Sequence, residues 1–288
     1  MLKKLLKYDL GFIGRYWWIA MLTVVFLSGG AAVSMRVYQE KSIIMDFTDV
    51  DLIIQTFSYV VFMLCAVGAG LCITAIAILI CIRYFKHLFT DEGYLTFTLP
   101  VSREQIFVSK LISAVSWMGI SVAILFLCIV VVILISIPTT DKSILAFDKY
   151  KLFYESAVKD FERFGGWRIA QGVLSLIASF SSIVLSISVV YFCITLGATV
   201  VKKAKIVVSI GIYYLLNMIY SSVIMTAGLV FLIFVAFGVV DVFASASAEM
   251  LNAALTAGIF AIFAIQSTMA TLFCCATRNI LERKLNLA

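Results

Sequence analysis

Residues 52–110 read LIIQTFSYVVFMLCAVGAGLCITAIAILICI (52–82) followed by RYFKHLFTDEGYLTFTLPVSREQIFVSK (83–110). The first part, Leu52–Ile82, carries no Asp, Glu, Lys or Arg and shows no strict apolar–polar alternation. A hydrocarbon layer about 30 Å thick takes roughly 20 apolar residues per helix. A backbone that must satisfy its own hydrogen bonds in such a layer is helical unless it closes into a barrel. The second part is polar and contains the single histidine, His87, and one of the two prolines, Pro100. One junction thus sets the pattern of the chain, a membrane span entering a short wet hairpin.

The same pattern recurs on both sides. Uncharged apolar runs occupy residues 17–35, 52–82, 111–137, 169–201, 206–240 and 253–277. Across 288 residues, 63% are hydrophobic and 13% charged, with a mean hydropathy of +1.11, where ordinary soluble domains are about 45–50% apolar and about 25% charged. The expected fold is all-α: one polytopic membrane domain over 1–288 with six transmembrane helices. Lys3, Lys4, Lys7 and Arg15, then Arg83, Lys86, Arg103 and Lys110, then Lys202, Lys203 and Lys205, then Arg278, Arg283 and Lys284 gather most of the 22 cations on alternate loops. The acids favour the other side, as with Asp46, Asp49 and Asp51. By the positive-inside rule both ends face the cytosol of a cell membrane. The net charge of +6 is then a topology signal and no sign of nucleic-acid binding.

Residues 1–16 place Leu2, Leu5, Leu6, Phe12, Ile13 and Tyr16 at helical spacing, with Asp9 as the single acid in the stripe and lysines beside it. This predicts an in-plane elbow helix in the headgroup layer, with Trp17 and Trp18 marking the turn into the bilayer. The longest external loop, 138–168, carries an amphipathic stripe from Asp148 to Phe164 with Gly165-Gly166 as its stop. Residues 206–240 would span about 52 Å as one rod, so a bend or a re-entrant helix near Gly228 or Gly238 is expected. The seven cysteines, Cys65, Cys72, Cys81, Cys128, Cys193, Cys274 and Cys275, fall in or at the ends of spans and read as small apolar filler. Asn217 and Gln266 are the buried polar candidates, read as hydrogen-bonding glue between helices. Gly68, Gly70 and Ala66 read as sites of close helix packing.

In the hairpin, Pro100 ends one element and Ser102 with Gln105 forms a capping box for a helix from Arg103 to Ile137. Thr90 is read as the N-cap of a short helix opening with Asp91 and Glu92, where carboxylates suit the helix dipole. Tyr94, Leu95, Phe97 and Leu99 give it large apolar side chains. Exposed apolar groups rimmed by charge mark an interaction surface, and packing of Tyr94 and Phe97 under the bundle is the competing reading.

The string DEGYLTFTLPVSREQ, residues 91–105, closely resembles the cytosolic hairpin of the type-2 ABC-transporter permeases of the group common in Firmicutes, and the layout of the chain is similar as well. The resemblance implies a coupling helix docked on a separate ATPase subunit through Asp91, Glu92, Gly93, Tyr94, Leu95, Thr96, Phe97, Leu99 and Pro100. It also implies a second, smaller contact at Lys202, Lys203 and Lys205, which by themselves read as positive-inside residues. A family member works with a second permease copy or a paralogue, as homo- or heterodimer, in membrane lipid, with ATP and Mg on the ATPase subunit. The external loop departs from the family, which connects the third and fourth spans tightly.

No G-x-x-x-x-G-K-[ST] loop occurs, and Gly197-Ala-Thr-Val-Val-Lys-Lys lacks the second glycine and the hydroxyl residue. No catalytic residue, cofactor or metal site of the chain's own is expected. The expected function is a permease subunit of an ABC exporter for apolar or amphipathic cargo. The alternatives are a non-transporting sensor or scaffold subunit, and an ion-coupled carrier, which would place ionisable groups at mid-membrane.

Overall fold

A computed structural model describes residues 2–42, 49–90, 93, 102–136, 144–201, 204–238 and 248–283. The fold is all-helical in these residues, with α1 Leu2–Ser42, α2 Asp49–Phe89, α3 Arg103–Ser136, α4 Ile144–Val200, α5 Lys205–Gly238 and α6 Ala248–Arg283. All six contain a stretch long and apolar enough to cross a membrane, so the chain is a multi-pass membrane protein. Serine and threonine are tolerated inside these stretches because their hydroxyls donate to carbonyls three or four residues back. Ser28 to Val25, Ser58 to Ile54, Ser116 to Ile112 and Ser186 to Ser182 are examples.

Three expected interruptions are absent. α1 runs unbroken through Gly11, Gly14 and the Trp17-Trp18 pair, so the expected elbow of residues 1–16 is continuous with the first span. α4 starts at Ile144 and passes through Gly165-Gly166 without stopping, which joins the external amphipathic stretch to the fourth span. α5 passes Gly228 and ends at Gly238, the second of the two positions where a break was expected. The reason is common to all three. Glycine ends a helix when it adopts positive φ, and no glycine among the described residues does so. Without that or a proline, each glycine costs only about 1 kcal/mol, which length and burial offset.

The chain forms two compact units, Met1–Arg83 with Ile112–Arg163, and Tyr84–Leu111 with Phe164–Ala288. In the first, α1 and α2 lie antiparallel. Asp9 meets Arg83, Thr23 meets Cys72, and Tyr38 lies against Tyr59, so the paired numbers fall on α2 as they rise on α1. Small residues let the helices close. A methyl group on Gly30 would come 3.3 Å from Cys65 Sγ, and one on Gly68 would come 3.0 Å from Leu27. Gly70 has open space around it, so only Gly68 of the expected pair packs a neighbour. α3 joins through Trp17, whose Nε1 donates to Ser121 Oγ at 2.8 Å and whose ring lies 4.8 Å from that of Trp117. The two adjacent tryptophans therefore divide: Trp17 is core, and Trp18 faces outward.

In the second unit, α4 and α6 run parallel and are stitched at a near-constant offset. Gln171 Nε2 bonds Thr256 Oγ1, Ser181 Oγ donates to Gln266 Oε1 at 2.7 Å, and Ser188 bonds Cys274. Gln266 is thus interhelical glue as expected. Asn217 is exposed on α5. The inward face of α5 follows Lys205, Ser209, Ile212 and Leu216, and Asn217, one residue further, is turned about 100° away.

Candidate functional site: the base of the hairpin

The hairpin between α2 and α3 lies in the second unit, and its two feet are described in detail. α2 ends at Phe89, and the Thr90 hydroxyl beyond it donates to the Lys86 carbonyl, four residues earlier. Gly93, three residues on, is helical, and Thr90 stands where the sequence places the opening of a short helix. Its carbonyl accepts the Gly93 N–H at 2.7 Å. Gly93 is buried, and a methyl group there would fall 2.7 Å from the Leu88 carbonyl oxygen. The glycine is therefore required by a close backbone approach, beyond the weak helix former that the sequence suggested. Asp91, Glu92, Tyr94, Leu95, Thr96, Phe97, Leu99 and Pro100 lie outside the described residues, as do Lys202 and Lys203.

At the other foot, Ser102 Oγ accepts the Gln105 N–H at 3.4 Å and the Ser102 carbonyl accepts that of Ile106. This is the expected N-cap, and α3 begins at Arg103 as its sequence indicates. Arg103 Nη1 reaches across to donate to the Leu281 carbonyl at 3.1 Å and to that of Glu282 at 3.4 Å. A guanidinium on the last carbonyls of α6 satisfies acceptors that have no partner within the helix and meets the negative end of its dipole. Beside it, Arg278 pairs with Glu104 at 2.9 Å and with Glu282 at 3.1 Å. This cluster is half exposed, so its worth lies in register more than in stability. α2 is held in the same manner, since Lys205 Nζ donates to the Phe89 carbonyl at 3.3 Å.

Between the feet lies an aromatic knot. Tyr84 stacks on Tyr191 with centroids 3.8 Å apart and an interplanar angle of 8°, and its hydroxyl shares a hydrogen bond with Thr195 Oγ1 at 2.9 Å. Phe107 approaches Tyr191 edge-on, and the Tyr191 hydroxyl donates to the Lys110 carbonyl at 3.4 Å. Tyr84, Tyr191, Thr195 and Phe107 are all buried, and every hydroxyl is used, as burial in low dielectric demands. The neighbouring turn of α4 comes so close to α5 that a methyl group on Gly197 would meet Ser209 side chain and backbone.

Sequence reasoning read Lys205 as a positive-inside residue and, by the resemblance, as a second contact, and did not foresee its bond to the end of α2. It missed the roles of Arg103, Tyr84 and Tyr191. Arg103 carried a legible signal, a cation at the foot of a helix whose cap was already identified. Nothing in the sequence pairs Tyr84 with residues more than 100 positions away. Among the described residues no three of His, Cys, Asp and Glu gather as a metal site. At this base the ends of α2 and α6 are fastened to the starts of α5 and α3. Compared with protein-family models, curated proteins and solved structures, the chain matches none of them.

Proposed function

We propose that the chain is the membrane-spanning permease subunit of an ABC exporter, working with a second copy or a related permease and with separate ATPase subunits that bind ATP and Mg. Its base faces the cytosol, and the segment Asp91–Pro100 is the coupling contact with the ATPase. The observation that carries this reading is the fastening of both hairpin feet, Arg103 on the final carbonyls of α6 and Lys205 on the final carbonyl of α2. A push on the connecting segment has no slack to take up at its feet and passes into α2, α3, α5 and α6 together. The uncharged span interiors suit apolar or amphipathic cargo.

Affinity purification of the chain from its native membrane tests the docking contact. The unaltered chain is expected to bring down a protein with a phosphate-binding loop, and Glu92→Lys or Tyr94→Ala is expected to lose it. Retention of that partner by both variants would show that residues 91–100 are not the contact. The sensor reading draws on the continuity of α4 from Ile144 into the span. It would be favoured if the purified assembly hydrolysed ATP on ligand addition without moving any solute across vesicles.

A further inference from the structure

We propose that the first turns of α1 form a surface that reads anionic lipid headgroups. Asp9 is the only acid before Glu40, and it is turned inward onto Arg83. The outward face from Leu5 to Ile19 is thereby left without an acid: Lys7 and Arg15 are exposed, and so are Tyr8, Phe12, Tyr16 and Trp18, with Gly11 and Ile19 as the remaining exposed positions. Lys7 and Arg15 are eight residues apart, two helical turns or about 12 Å. Tyr8, Phe12 and Tyr16 follow one position behind each step and form a parallel row. An aromatic row beside spaced cations is the chemistry of the membrane interface, where rings sit at headgroup depth and lysine or arginine meets phosphate. The charge complementarity selects an anionic bilayer surface over a zwitterionic one. An acidic protein partner fits less well, because the continuous rows of rings on the same face require an apolar medium along their whole length.

This inference rests on membrane insertion alone and not on the permease reading, so its test contains no ATPase. The full chain is reconstituted in phosphatidylcholine vesicles in which a fixed fraction of the lipid is brominated phosphatidylglycerol or brominated phosphatidylcholine. Quenching at Trp18 is taken as the difference between the unaltered chain and Trp18→Phe. A cation near such a surface is worth about a fivefold preference, so preferential quenching by the anionic lipid of about fivefold or more is expected. Lys7→Gln/Arg15→Gln should bring the two lipids to parity. Lys7→Arg/Arg15→Lys should keep the preference, and so should Lys159→Gln/Arg168→Gln, which removes the same charge from the external stretch. The near-ultraviolet signal of the Trp17–Trp117 pair reports folding in each variant. Parity in the unaltered chain, a preference surviving in the glutamine pair, or an equal loss in Lys159→Gln/Arg168→Gln would overturn the proposal.

Discussion

Asp9 and Arg83 meet at 2.8 Å with side chains only 7% and 9% exposed, and the guanidinium also lies 4.1 Å from the Phe12 ring centroid. Two charges withdrawn from water are held by each other, and removing one leaves the other without compensation. Asp9→Ala is therefore expected to destabilise the chain by about 3–5 kcal/mol. Asp9→Leu combined with Arg83→Met should recover most of that loss, as measured by unfolding in mixed micelles. A double change that costs as much as the two single changes added together would mean that the pair contributes no mutual stabilisation. Half of this contact was legible in the sequence. The sequence singles out Asp9 as the one acid in an apolar stripe, although that stripe was given to the headgroup layer, and the structure buries Asp9 with Ile13 and Trp17. Arg83 reads as one more cation of a positive loop, and no spacing rule links positions 9 and 83.

At the scale of elements, the antiparallel seam of α1 and α2 makes a geometric claim. Gly30 and Cys65 face each other closely enough that a cysteine at 30 would bring its sulfur within bonding reach of Cys65. With the other six cysteines replaced by alanine, Gly30→Cys is expected to form an intrachain disulfide under mild oxidation, seen as a reducible gain in gel mobility. Gly29→Cys, one step around the helix, should not. Cross-linking at 29 and not at 30 would reverse the assigned faces. Helix existence and type were fully legible, because apolar length alone dictates them in a membrane. The helix ends at Gly165-Gly166 and Gly228 were misread. Glycine stops a helix through its φ, which the letter in the sequence does not state. Ser102 was read correctly because a side-chain cap is spelled out in residue types.

For the molecule as a whole, topology is the property that the sequence specifies most directly, since it follows from where cations fall and not from how helices touch. A cysteine at Lys159 in a cysteine-free chain is expected to react with a membrane-impermeant maleimide added to intact cells. A cysteine at the exposed Ser102 should react only after permeabilisation. The opposite result would invert the chain and remove the coupling assignment with it. What composition could not show is which helices lie together. The parallel pairing of α4 with α6 depends on a few polar side chains, Gln171, Ser181, Gln266 and Thr256, scattered through apolar sequence without a period of their own.

Those scattered pairs restrict what the second unit can do. An interhelical hydrogen bond of this kind adds only about 0.6 kcal/mol on average, yet the three keep nearly the same offset, 85 or 86 residues. Sliding α6 along α4 by a single residue, about 1.5 Å, would break all three together in a medium with no water to replace them. The pair behaves like a splined shaft, free to tilt or travel as one piece and barred from creeping. A displacement delivered to the end of α6 through Arg103 would therefore be shared by α4 along the bonded stretch from Ser188 to Gln171 with little slippage.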